Sequence, residues 1–142
     1  MKGEPGPRLR ILSVEDEALN RALLAAVLQG SSDERLRDAE LIEATSLAEA
    51  RRLVADSDHD LVILDRRLPD GDGFELAHEL AHRPAASRPP IIALTADAVP
   101  ATEQAATAAG CTTLIVKPYR PAELTAALAE LLDDRRPTLA SR

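Results

Sequence analysis

Aromatic side chains are nearly missing from this sequence: one Phe, one Tyr and no Trp among 142 residues. Any core is therefore built from Leu, Ile, Val and Ala. The stacking platforms that single-stranded nucleic-acid binders rely on are absent. The single cysteine, Cys111, excludes an internal disulfide and fits a reducing compartment. It reads as a small apolar residue at the start of a strand. No apolar run approaches the roughly 20 residues of a membrane-spanning helix. The start, Met1 to Pro7, lacks the apolar centre of a secretory leader. Excess positive charge is also missing. A formal net charge of −7 opposes the phosphate neutralisation on which DNA affinity rests. The expectation is a soluble, cytoplasmic protein with no membrane association and no direct nucleic-acid binding. A cation or a basic partner surface suits its charge.

What is present is an ordinary globular balance, 45% hydrophobic and 29% charged, over a length that fits one domain. The apolar pattern predicts a tail over 1–8, a domain over 9–132 and a second tail over 133–142. Within the domain, strand-like runs at 9–14, 40–44, 61–65, 91–94 and 112–116 alternate with helical segments. Leu19, Leu23, Leu24, Val27 and Leu28 lie at helical spacing, and Gly30 follows where a C-cap glycine belongs. Residues 31–38 read as a polar loop or a frayed helix end. Residues 68–73 read as a turn-rich loop. Leu124, Leu128, Leu131 and Leu132 mark one face of a last helix that begins at Pro121. Strand and helix alternating five times predicts a parallel α/β sheet with right-handed crossovers.

Four of the apolar runs end in residues that can do chemistry. Ile11 to Val14 leads into Glu15 and Asp16, Leu61 to Leu64 into Asp65, Ile91 to Leu94 into Thr95, and Leu114 to Val116 into Lys117 and Pro118. In an open parallel sheet the carboxyl ends of the strands share one rim, where ligands bind. Singly, each residue has an ordinary role: Glu15 and Asp16 as helix-start acids, Asp65 or Thr95 as caps, Lys117 as a solvated cation. Together they place three carboxylates, a hydroxyl and an ammonium in one crevice. His59, His78 and His82 share no spacing with other metal ligands and are expected at the surface.

Val14-Glu15-Asp16-Glu17, Asp65-x-x-Leu68-Pro69-x-x-x-Gly73, Leu94-Thr95-Ala96 and Val116-Lys117-Pro118 resemble the receiver domains of two-component response regulators. The resemblance covers about residues 9–132. It implies a flavodoxin-like (βα)5 sandwich with strand order 2-1-3-4-5. It also implies that Asp65 takes a phosphoryl group from the phosphohistidine of a histidine kinase or phosphotransfer protein. Mg²⁺ is the implied cofactor, held by Asp16, Asp65 and the backbone carbonyl of Arg67, with Glu15 acting directly or through water, as oxygen-rich sites suit this cation. Lys117 would neutralise charge on the transferring group, and Thr95 would bond a phosphoryl oxygen. The Lys117–Pro118 peptide is expected to be cis. Such a domain catalyses its own modification and signals to a downstream protein, as a monomer or as a phosphorylation-dependent dimer. A kinase docks near the first helix.

The sequence departs from the pattern at Leu114, where the family usually has an aromatic switch residue. The coupling of Thr95 to such a residue is then expected to give a weaker switch, or one transmitted mainly by the loop 96–100. This departure keeps open a phosphorylation-independent interaction module. Arg66 and Arg67 put two cations after Asp65, and Arg67 is spaced to reach Asp97 as a lid. An aspartate-nucleophile phosphatase would need an acid where Arg67 stands. A nucleotide-binding protein would want a Gly-x-x-x-x-Gly-Lys loop, and none occurs.

Overall fold

The computed structural model describes residues 8–97 and 99–135. The first half contains β1 (Arg10–Val14), α1 (Ala18–Gln29), α2 (Glu34–Arg37), β2 (Glu40–Ala44), α3 (Leu47–Asp56) and β3 (Leu61–Asp65). A two-residue hairpin, β4 (Arg67–Leu68) and β5 (Gly71–Asp72), leads into α4 (Phe74–Ala81). After a 3-10 turn at Ala85–Ser87 come β6 (Ile91–Thr95), α5 (Pro100–Ala109), β7 (Thr113–Val116) and α6 (Pro121–Arg135). The five long strands form one parallel sheet in the order β2-β1-β3-β6-β7. With the hairpin set apart, this is the flavodoxin-like order 2-1-3-4-5. Of the two expected tails, residues 1–7 and 136–142 lie outside the described residues, while 133–135 continue α6.

The sheet is apolar on both faces because helices cover both. Leu12, Val14, Val62, Leu64 and Ala93 pack with α3, α4 and α5. Ile11, Leu61, Ile63, Leu94 and Ile115 pack with α1, α2 and α6. Leu61 to Leu64 are each at most 2% exposed, as a central strand requires. Side chains alternate along a strand, so Asp65 continues the side of Ile63 and faces the layer of α1 and α6. Cys111 packs half-buried against the other layer, where burial pushes its thiol up to about 11. It behaves as filling rather than as a nucleophile.

Four local expectations need correction. Residues 34–37 form a helical turn rather than a loop: Asp33 accepts from the Arg35 N–H at 2.9 Å, and Leu36 plugs the core at 1% exposure. Gly30 is the C-cap of α1, as its position implies, but at φ −90°, which any residue adopts, so the cap is not the left-handed one that calls for glycine. Only Leu24 and Leu28 of the α1 apolar set are buried, while Leu19 and Leu23 are 71% and 51% exposed. The helix has a wider apolar stripe than its contact with the sheet can cover.

The fourth correction concerns His59. His78 and His82 are exposed, but His59 is 6% exposed beneath the turn that opens β3. Among the described residues its Nε2 is the one buried side-chain nitrogen or oxygen without a hydrogen-bond partner. Burial, reinforced by Arg10, holds the imidazole below its ordinary value of 6.5 despite Asp58 and Asp60. The folded state then binds fewer protons than the unfolded chain as pH falls through the ordinary imidazole range. The stability from neutral His59 is present above that range and is lost below it. The Tm is expected to fall by a few degrees between pH 7 and pH 5.5. The fall should flatten in His59→Leu. Thermal unfolding of both proteins across this window checks it, and parallel curves would refute it.

Candidate functional site

Four strand ends deliver the candidate residues to one rim. Glu15 follows β1, Asp65 ends β3, Thr95 ends β6 and Lys117 follows β7. Registry holds them level, because Asp65 pairs with Leu94 and Thr95 with Val116. The Lys117 N–H donates to the Thr95 carbonyl at 2.7 Å, and the Lys117–Pro118 peptide is cis, as expected. Lys117 Nζ donates to Glu15 Oε1 at 3.1 Å and to Asp65 Oδ2 at 3.3 Å. A single ammonium thus ties together carboxylates 50 residues apart in sequence.

Carboxylate oxygens of Glu15, Asp16 and Asp65 all lie within 4.8 Å of one another. Glu15 is buried, Asp65 half-buried and Asp16 exposed, so the cluster opens toward solvent on the Asp16 side. The second Glu15 oxygen accepts from the Glu17 N–H at 3.1 Å. Burial works against the charge on Lys117, yet Asp65 and Glu15 outweigh it and hold the ammonium above its usual range. Three carboxylates facing one ammonium leave a formal excess of negative charge. Hard oxygen donors in that charge state fit Mg²⁺ and offer nothing to soft metals.

Thr95 is 4% exposed, and its Oγ accepts from the Asp97 N–H at 3.1 Å. The hydroxyl proton has no acceptor among the described residues. Leu114 is half-buried beside Ala93 and packs with the α3–α5 layer. The expected reach of Arg67 to Asp97 is not made. Instead, Asp97 accepts from the Val99 N–H at 3.2 Å and the Thr102 hydroxyl at 3.0 Å. Arg67 is exposed and its backbone N–H donates to Asp65 Oδ1 at 3.3 Å. Arg66 turns away to Asp72 at 3.1 Å, with its guanidinium 4.6 Å from the centre of the Phe74 ring.

Two features escaped the sequence. A cleft of about 560 Å³ runs from Glu15, Asp65 and Lys117 along α1, walled by Leu23, Val27 and Tyr119. Leu23 belongs to the helically spaced apolar set of α1, and its exposure is what leaves that wall open. The Asp70-Gly71-Asp72-Gly73 run, read as a turn, also sets Gly73 against the Asp65 backbone and the start of α4. Asp72 Oδ1 accepts from the Phe74 N–H at 2.9 Å and so caps the start of α4. An acid two residues before a helix start is a legible capping signal.

Residues 11–129 match the response regulator receiver domain family. The cyclic di-GMP phosphodiesterase response regulator RpfG of Xanthomonas campestris is 35% identical over 130 residues, 90% of this chain and 33% of that protein. The chain spans about half or less of the length of the first such relatives, so the activity in that name belongs to RpfG as a whole. Among solved structures, chemotaxis regulator CheY4 of Vibrio cholerae has a TM-score of 0.77 at 26% identity, covering 89% of this chain and 100% of its own. The receiver domain of the sensor kinase PA1611 of Pseudomonas aeruginosa has a TM-score of 0.76 at 28% identity, covering 89% and 99%. That structure holds a magnesium ion in its active-site cleft. Among the described residues, no helix of this chain is long and apolar enough to cross a membrane. Strand order, strand-end chemistry and sequence match agree, and the chain belongs to the response regulator receiver domains of two-component signalling.

Proposed function

We propose that Asp65 accepts a phosphoryl group from the phosphohistidine of a histidine kinase or histidine phosphotransfer protein. The observation that carries this reading is the contact of one Lys117 ammonium with both Glu15 and Asp65 inside a three-carboxylate cluster. An Asp65 carboxylate oxygen attacks phosphorus, the phosphorus–nitrogen bond breaks, and its electron pair leaves with the imidazole. The product is an acyl phosphate on Asp65. Glu15, Asp16, Asp65 and the backbone carbonyl of Arg67 would hold Mg²⁺, which supplies positive charge for the phosphoryl oxygens. Lys117, in contact with both Glu15 and Asp65, adds a second positive charge beside the accepting carboxylate. Thr95 has a hydroxyl proton to donate to a phosphoryl oxygen.

Displacement of the hydroxyl toward that oxygen would pull on its bond from the Asp97 N–H and so bias the loop 96–100, of which Ala98 lies outside the described residues. Leu114 offers no hydroxyl, so the bias reaches the surface through this loop and Leu114 repacking. The exposed Leu19 and Leu23 beside the cleft suit the docking of the phosphodonor protein. The domain is a signalling element whose product is a changed surface for a downstream protein.

Incubation with a small phosphodonor tests the reading through acid-labile phosphate on the protein. Labelling is expected with Mg²⁺, is lost when the metal is chelated, and is abolished in Asp65→Asn. A folded wild type that stays unlabelled, with a histidine phosphodonor also tried, would overturn the reading in favour of a phosphorylation-independent interaction module.

A further inference from the structure

Between Asp65 and α4 the chain makes a hairpin too small to hold itself. β4 and β5 share two residue pairs, Arg67 with Asp72 and Leu68 with Gly71. An isolated hairpin is marginal in water even when longer. Its base is pinned locally: the Gly73 N–H donates to the Arg66 carbonyl at 2.6 Å, and Arg66 pairs with Asp72. Its tip is pinned to a different element. The two carboxylate oxygens of Asp70 accept from the N–H groups of Leu47 at 2.8 Å and Ala48 at 3.0 Å, the first two residues of α3.

The first N–H groups of a helix have no acceptor inside it, and the helix dipole favours a negative charge there. These hydrogen bonds hold the Asp70 carboxyl below its usual range. A second contact supports the docking. Gly71, at φ 150°, lies against the Leu47 side chain, and a Cβ at Gly71 would stand 2.8 Å from Leu47 Cδ1. Helix α3 also has a cap of its own, because Ser46 Oγ accepts from the Glu49 N–H at 3.1 Å. Asp70 is therefore an addition to a helix start that is already capped.

We propose that Asp70 is a positioning residue for the cation site and couples that site to the start of α3. The proposal rests on the Mg²⁺-dependent reading above. The hairpin carries Arg67, whose N–H reaches Asp65 Oδ1 and whose carbonyl is one of the assigned metal ligands. With the tip held on α3, the Arg67 backbone is fixed before any cation arrives. With the tip free, two residue pairs are left to hold it. Such coupling is reciprocal. A bound cation steadies the hairpin and with it the Asp70 contacts, so the Leu47 and Ala48 amides exchange more slowly when Mg²⁺ is present.

The test uses the full chain with Asp70→Ala, Asp70→Asn and Ser46→Ala, read by Mg²⁺ titration calorimetry and amide hydrogen exchange. Asp70→Ala is expected to weaken Mg²⁺ binding roughly tenfold, the low end for residues that orient metal ligands. It should also erase the Mg²⁺-dependent protection at Leu47 and Ala48. Asp70→Asn keeps one acceptor oxygen and should fall between. Ser46→Ala removes a cap from the same helix without touching the hairpin, so it should lower Tm and leave Mg²⁺ affinity at the wild-type value. Equal affinity in Asp70→Ala and wild type, or an equal loss in Ser46→Ala, would overturn the coupling and leave Asp70 as a helix cap. A wild type that binds no Mg²⁺ would overturn the phosphoacceptor reading and the coupling with it.

Discussion

Lys117→Ala is expected to slow phosphoryl transfer to Asp65 roughly 100-fold or more while leaving Mg²⁺ bound at least as tightly as in the wild type. The two effects part because Lys117 and a divalent cation act on the same carboxylates. Lys117 Nζ sits 3.1 Å from Glu15 and 3.3 Å from Asp65. With the ammonium gone, Glu15, Asp16 and Asp65 keep their mutual repulsion and lose their one contacting side-chain cation among the described residues. A metal ion is then the stronger remedy, so its binding does not suffer. The transferring phosphoryl group, by contrast, loses a charge placed beside its destination before the reaction begins. Such preorganised charges contribute most where water is displaced, and removal of one commonly costs two to three orders of magnitude (roughly 10²–10³) in rate. Single-turnover labelling and titration calorimetry on the same preparations separate the effects. Labelling at the wild-type rate would mean that Lys117 serves only as a counter-ion for the resting cluster.

Gly73→Ala is expected to lower stability by about 1–3 kcal/mol, the usual cost of overpacking, and to depress labelling of Asp65 as well. The constraint is one of space. Gly73 has φ −56°, which alanine adopts without strain. The obstacle is that a Cβ there would overlap the backbone carbonyl oxygen of Asp65 and stand 3.1 Å from a methyl of Leu64. Backbone cannot swing aside as a flexible side chain does, so either the Gly73 turn or the end of β3 must move. Asp65 moves with β3, away from the 3.3 Å contact with Lys117. Denaturant melts report the first effect and labelling the second. A Gly73→Ala protein with unchanged stability and labelling would show that the turn relaxes freely. Gly30→Ala is the fitting control for labelling, since its backbone angles are ordinary, its Cβ would meet only the α1 backbone at 3.3 Å, and it ends α1 away from the rim where that helix begins.

Much of the architecture was legible because its signals are local. Ile11 to Val14, Leu61 to Leu64 and Ile91 to Leu94 are apolar at every position or nearly so, which in a chain of this length means strands covered on both faces. Pro121 and the leucine stripe of the last helix needed no tertiary knowledge. All four of those leucines are buried. Less legible were features whose outcome depends on what lies opposite. Leu19 and Leu24 look alike in sequence, yet one is exposed and the other buried, because the arc that α1 presents to the sheet is narrower than its apolar stripe. His59 carries no mark of burial in its neighbours Asp58 and Asp60, and it is covered only when β3 takes its place between β1 and β6. Arg67 and Asp97 are well spaced for each other, but a nearer hydroxyl, on Thr102, takes the Asp97 carboxylate first.

The sheet, its layers and the identity of the chemical groups on its rim follow from the chain alone, because alternation, strand length and strand-end residues are written within a few positions of one another. Which of those groups touch is set by the fold in three dimensions. The Lys117 contacts span 102 residues to Glu15 and 52 to Asp65, and the Asp70 contact with Leu47 spans 23. Hydrogen bonds act over about 3 Å. Such pairs exist only after crossovers and strand register have brought distant segments to the same rim, and no local pattern in the chain encodes that separation.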